Sequence, residues 1–353
     1  MIDKTILQKA VWRVKDNLVQ WLWFSSGVDK EHIGYDKGLL TWMRAARHKK
    51  LKRPFQLCLL DVHPKGGKFG RFTAFWINER SRICKVTVNK GLEDADVIWI
   101  YSQDPLPSGI KQDLMETLKR ARPDALIINH PEVYNSYHEA HTFKMLAEAG
   151  VSVPRSQFTG DDIGKTTVVY KVTGMHGSSK FLSPYRGPIE GYRPFEFVDS
   201  RGPDGLYRKY RAFYLLGIVC PNHVAYSDHW NVHRETKKRS DYLFQLTAGE
   251  LESIRLIART LRLQYFAVDF LRRSSDDHPY VTDINVYPLP VDFTETARQL
   301  GYLGRWIILD NRQRLGIPEP SGTSFWDEFD EATAAFIKTR RAESMNKDEH
   351  KLG

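Results

Sequence analysis

The chain has 353 residues, 41% hydrophobic and 27% charged, a balance ordinary for a globular protein and enough length for two or three packed units. Its formal net charge of +9 favours anionic partners. No apolar run approaches the roughly 18 residues that a spanning helix needs, so no membrane span is expected. Charged residues Asp3, Lys4 and Lys9 argue against a signal peptide. Cys58, Cys84 and Cys220 have no metal-ligand spacing and cannot all pair within one chain, which points to a reducing cytoplasm.

Apolar residues at Leu7, Val11, Val14, Leu18 and Leu22 recur at helical spacing and predict an amphipathic helix over residues 3–24. Trp12, Trp21 and Trp23 widen its apolar face, so it is expected to pack on the body or on a partner chain. From Pro54 the pattern predicts strands at 56–62, 82–88, 97–101 and 125–129, with a helix at 110–121. Such alternation implies an α/β sheet, whose ligands gather beyond the carboxyl ends of the strands. The loops at 63–71 and 102–107 are therefore where a second substrate is expected, the first through its glycines and cations and the second through Gln103 and Asp104. Helices are predicted at 294–309 and 324–342, followed by a charged, frayed tail.

Basic runs at 44–53, 111–122 and 234–239 suit an anionic substrate or a solvated surface. Binding of nucleic acid is not expected, because no basic motif is interleaved with aromatics.

The segments that carry chemistry lie between these regions. Val281, Asp283 and Asn285 alternate on a predicted strand, next to a second one carrying Asp269. Two carboxylates and an amide are hard oxygen donors of the kind that hold magnesium together with phosphates and water. The alternative is a hairpin with a solvated acidic end. Lys171 closes an apolar strand that starts at Thr167, ahead of Gly174, His176, Gly177 and Ser178, where backbone N–H groups could meet phosphate oxygens. An ordinary hairpin turn fits the same residues. Glu196, Phe197 and Val198 could present a backbone edge to adenine. Asn231, His233 and Arg234 form an extended, donor-rich segment suited to phosphate or carboxylate, or a solvated basic loop.

In this order the segments resemble the ATP-grasp superfamily. Val268-Asp-Phe, Asp283-Ile-Asn and Pro288 are similar to its metal-binding end. Asn129-His-Pro through Val153-Pro154 are similar to the entry into its ATP-binding half, where a helix ends at Gly150. Tyr210-Arg211 resembles the strand after the adenine hinge, and Asn231-Val-His-Arg234 the loop of the ribosomal-protein glutamate ligases. D-alanine ligases share the type. Two departures stand out. Glu139 occupies the place of a phosphate lysine, for which His138, His141 or Lys144 would have to substitute, and Asp283 stands where the family has Glu.

The resemblance implies a first helical segment (1–53), an α/β domain (54–130), an ATP-grasp domain of two subdomains with nucleotide between them (131–295) and C-terminal helices (296–353). It further implies ATP- and Mg2+-dependent joining of a carboxylate to an amine through an acyl phosphate. Asp269, Asp283 and Asn285 would hold the metal. Lys171, Gly174, His176, Gly177, Ser178, Glu196, Phe197, Val198 and His233 would hold the nucleotide, with Arg211, Asn231 and Arg234 as catalytic groups. A small-molecule kinase acting on a sugar or inositol hydroxyl and a non-catalytic ATP-binding regulator are the rival readings. Oligomeric state stays open.

Overall fold

The computed structural model describes residues 53–62, 74, 77, 81–102, 104–139, 141–172, 180–233, 236, 238–241, 244–287 and 325–349. The expected Trp-rich helix, the 63–71 loop and the 294–309 helix lie outside them. Among the described residues it is an α/β protein with three sheets. The first is parallel, ordered β2-β1-β3-β4, with β1 at Phe55–Asp61, β2 at Cys84–Val88, β3 at Val97–Tyr101 and β4 at Leu126–Ile128. Every residue of β3 is buried, as the continuous apolar run of a strand covered on both faces requires. Helix α1 runs over Ser108–Leu118, starting straight after Pro107. Its predicted last residues, 119–121, instead bond back three positions in tight turns.

Helix α2 (Thr142–Glu148) ends before Gly150, whose φ of +95° reverses the chain where a side chain would be strained. It leads to an antiparallel sheet ordered β6-β5-β7, with β5 at Thr167–Val172, β6 at Lys180–Pro184 and β7 at Tyr192–Glu196. The third sheet is antiparallel, ordered β10-β9-β8-β11-β12. Its strands are β8 (Tyr207–Leu215), β9 (Ile218–Ser227), β10 (Arg239–Asp241), β11 (Tyr265–Arg272) and β12 (Pro279–Asn285). Helix α3 (Ala248–Leu261) begins on a Thr247/Glu250 capping box.

The two faces of the five-stranded sheet have different fates. Tyr210, Ala212, Val268, Phe270, Val281 and Ile284 share a core with Ile254, Ile257 and Leu261 of α3. On the other face Phe213, Leu215, Tyr265 and Ala267 pack with Trp99 of the parallel sheet and Phe329 of the last helix, α4 (Phe325–Glu349). That second face continues along β8 and β11 to Arg211 and Asp269, so it is covered at one end and carries charge at the other.

Asn129, in the left-handed region at φ 57°, ties the first sheet to the third. Its carboxamide accepts from the N–H groups of Gln264 and Tyr265, both at 3.0 Å, and donates to the Tyr265 carbonyl at 2.7 Å. No helix among the described residues is long and apolar enough to cross a membrane.

Candidate functional site

Four side chains stand in one row across the third sheet. His223 on β9 is opposite Arg211 on β8, Arg211 is opposite Asp269 on β11, and Asp269 is opposite Asp283 on β12. Directly opposed residues of antiparallel strands project from the same face. A bulge adjoins the row on either side, with Asn222 the extra residue of β9 and Thr282 the extra residue of β12. The second bulge corrects the simple alternation expected from the sequence. Asp283 and Asn285 share the face of the row, whereas Thr282 shifts the phase and turns Val281 into the core against α3. Asp269 sits within β11.

Asp269 is only 2% exposed. Arg211 grips it through two charge-assisted hydrogen bonds, Nε to Oδ1 at 2.6 Å and an Nη to Oδ2 at 2.9 Å, and Lys209 Nζ adds a contact to Oδ2 at 3.1 Å. Burial by itself would raise the carboxyl's pKa; Arg211 and Lys209 overcome it and hold Asp269 far below the usual carboxylate range. A carboxylate has about four lone-pair sites, so with three occupied Asp269 has room for a single further contact. Asp283 is exposed, and one of its oxygens accepts from the Asn285 carboxamide at 3.3 Å. Asp283 and Asn285 thus offer open oxygen donors on one edge, with Asp269 behind them. That donor set fits a magnesium ion that takes most of its ligands from phosphate and water.

The three-stranded sheet closes on this row through Lys171. The bulge at Thr282 leaves its carbonyl outside the ladder, and Lys171 Nζ donates to it at 2.6 Å. The ammonium also lies 5.2 Å from the ring centroid of Phe195 and 5.9 Å from that of Phe143. Burial lowers the Lys171 pKa, Asp283 and Asp269 oppose that shift, and Lys209 adds to it.

Beyond β7 the chain leaves the second sheet. The Glu196 N–H donates to the Arg155 carbonyl at 2.7 Å and the Phe197 N–H to the Thr167 carbonyl at 3.0 Å, so these two donors expected to face adenine are engaged within the fold. The Glu196 carboxylate is 3.6 Å from Arg155, and Val198 is buried. The Phe197 ring makes edge contacts with Tyr207 and with Trp230, which lies in the next functional segment. That segment is held by Thr236. Its hydroxyl donates to the Asn231 carbonyl at 2.6 Å and accepts from the His233 N–H at 3.0 Å, while its carbonyl accepts from Ser227 Oγ at 2.7 Å. Asn231 is buried, and its side-chain oxygen has no partner among the described residues.

Gly174, His176, Gly177, Ser178 and Arg234 lie outside the described residues, as does Gln103. Glu139 is exposed and pairs with His141 Nε2 at 3.2 Å; Lys144 pairs with Glu148 on α2 at 3.8 Å. Two further cations belong to the site that motif reading did not single out. Lys209 precedes Arg211 by two positions on β8, so the strand period alone would have placed it on the same face. Lys180 is opposite Lys171 in the β5/β6 register, which only the pairing reveals. Among the described residues, no three His, Cys, Asp or Glu side chains gather into a protein-only metal cage.

No family model and no curated protein match this chain. Solved structures do. The chain is similar to an ATP-grasp ligase, PsnB, complexed with a minimal precursor, at 13% identity and a TM-score of 0.46 over 71% of this chain and 98% of that one. It is similar to D-alanine–D-alanine ligase from Bacillus anthracis at 12% identity and a TM-score of 0.46, over 82% of this chain and 99% of that one. D-cycloserine synthetase DcsG is similar at 12% identity and a TM-score of 0.42, over 71% and 99%.

Proposed function

We propose that this chain is an ATP-dependent ligase of the ATP-grasp type that joins a carboxylate to an amine through an acyl phosphate. The observation that carries the reading is the row Arg211–Asp269–Asp283, faced from a second sheet by Lys171 through the Thr282 bulge. The motif order supports it, because strand-lysine, hinge, Arg strand, Asn-x-His-Arg and the paired acidic strands follow one another as in that family.

Asp283, Asn285 and the remaining valence of Asp269 would hold magnesium, which when bound neutralises charge on the phosphate oxygens. Lys171 and Arg211 are fixed before any ligand arrives, one by a carbonyl and the other by a buried carboxylate. Preorganised cations of this kind stabilise charge as it develops on a phosphoryl group in transfer. Positioning and electrostatics are most of what phosphoryl transfer asks of a protein. Asn231 and Arg234 would orient the acyl phosphate and the incoming amine, with His233 on the nucleotide. Among the structural neighbours, PsnB is complexed with the precursor peptide PsnA2 and AMPPNP, and others are a D-alanine–D-alanine ligase and a D-cycloserine synthetase. A small or peptidyl carboxylate with an amine, in an ATP-dependent reaction, is the corresponding substrate class here.

The test is ADP release by the full chain with Mg2+ and ATP against a panel of carboxylates and amines, with product analysis. Amide plus free phosphate supports the ligase. A phosphorylated hydroxyl product would replace it with a kinase, and nucleotide binding without turnover across the panel would favour a regulator.

A further inference from the structure

Lys171 and Lys180 are the pair of β5/β6 directly opposite one another, on the two strands that flank residues 173–179. Such opposed residues share a face, and like charges placed there repel. Lys171 shows which way the face looks, since its ammonium reaches the Thr282 carbonyl on β12. Lys209 and Arg211 on β8 contact Asp269, and the charges of Asp269 and of Asp283, its register partner, act on both opposed lysines, so four cations share two carboxylates. Asp269 is already taken by Arg211 and Lys209, and among the described residues Asp283 is the other carboxylate whose charge acts on both opposed lysines.

The cations expected to replace the missing helix lysine are engaged elsewhere. His141 is turned to Glu139 just before α2 and Lys144 to Glu148 on the helix, all four of them exposed, and His138 packs against the Tyr137 ring. The excess positive charge is instead concentrated at the mouth of the β5/β6 hairpin. Burial, then Lys171 and Lys209, push the Lys180 pKa down to about 8, while Asp283 and Asp269 act in the opposite direction.

We propose that Lys180 is a phosphate-binding residue of the nucleotide site, paired with Lys171 across the hairpin, and that it takes over the contact that Glu139 cannot make. The inference rests on the ATP-binding reading given above. A triphosphate supplies the anion that four cations around two carboxylates lack, and its oxygens can bridge two ammonium groups held side by side.

The experiment is calorimetric titration of the full chain with Mg2+ and a non-hydrolysable ATP analogue, with adenosine and inorganic phosphate as separate arms. Lys180→Met is expected to weaken the analogue about tenfold or more, the value of one charge-assisted contact, and to leave adenosine unchanged. Lys180→Arg, which keeps the charge, should stay within about threefold of the parent. In the Lys180→Met background, Glu139→Lys should recover part of the loss. Analogue affinity in Lys180→Met equal to the parent's overturns the proposal, as does an equal loss in the adenosine arm. A parent chain that binds phosphate but neither analogue nor adenosine overturns the ATP reading itself, a result distinct from failure of Lys180 alone.

Discussion

Asp269 and Arg211 face one another at the same register position of β11 and β8, and the guanidinium engages both carboxylate oxygens, at 2.6 and 2.9 Å. This makes Asp269 a structural ion as well as a candidate metal ligand, whereas Asp283, one strand further and exposed, has no comparable burial. The two acidic residues should therefore respond differently to the same substitution.

Asp269→Asn leaves Arg211 and Lys209 in a largely buried place without their counter-charge, and breaking a buried pair in this way costs about 3–5 kcal/mol. Asp283→Asn removes an exposed charge that acts on Lys171 and Lys180 without a direct ion pair, and should cost no more than about 1 kcal/mol. Both should abolish ADP release. Denaturant unfolding at neutral pH separates them. Equal stabilities for the two variants would show that the Arg211 contact contributes little, and wild-type turnover in Asp283→Asn would remove it from the metal site.

Lys171→Met should raise the dissociation constant for nucleotide about tenfold, through loss of a point charge at the phosphates. It should not lower the unfolding free energy, because the ammonium is held against a burial penalty and methionine fills the same apolar slot beside Phe143 and Phe195. Unchanged affinity with reduced stability is the opposite pattern. It would make Lys171 a tie between sheets and nothing more.

What the sequence made legible was the part of the site that local periodicity encodes. Asp283 and Asn285 share a face because they are two residues apart on one strand, and Lys171 ends a strand that reads as apolar. Legibility fails where pairing between distant segments decides the outcome. The Thr282 bulge exists only against β11, and it both turns Val281 away and frees the carbonyl that Lys171 uses. Asn129 reads as part of a loop motif, yet its role is to hold Gln264 and Tyr265 across the interface of two sheets. Asp96 likewise receives Arg122 from the turn after α1 at 3.1 Å and Arg341 from α4 at 2.5 Å, a junction that no local pattern announces.

The segment carrying Asn231 and His233 gives a third prediction. Thr236 is its latch, with a hydroxyl that donates to one of these residues and accepts from the other. Thr236→Val keeps the shape and deletes both bonds. If the segment orients the acyl phosphate rather than the nucleotide, turnover should fall about tenfold while the KM for ATP stays within about threefold. Thr236→Ser should restore most of the rate. A fall confined to KM for ATP would move the segment to nucleotide binding.

The last prediction concerns pH and Lys180. Its pKa in the folded chain, about 8, lies below the ordinary lysine value of 10.5 that it would have when unfolded. Between these two values the unfolded chain binds more protons at this side chain than the folded one, so its contribution to stability rises with pH. Below about 8 both states carry the charge and the full cost of burying it beside Lys171 and Lys209 is present; above 10.5 both are neutral and that cost is gone. Lys180→Met should therefore be more stable than the parent at pH 7, by on the order of 1–3 kcal/mol. The difference should shrink as the pH is raised from 8 towards 10.5. Using the difference between the two proteins cancels the other lysines and tyrosines that titrate in the same range. A difference that does not change with pH, or a variant less stable than the parent at pH 7, would show that the Lys180 ammonium is already well compensated in the ligand-free fold.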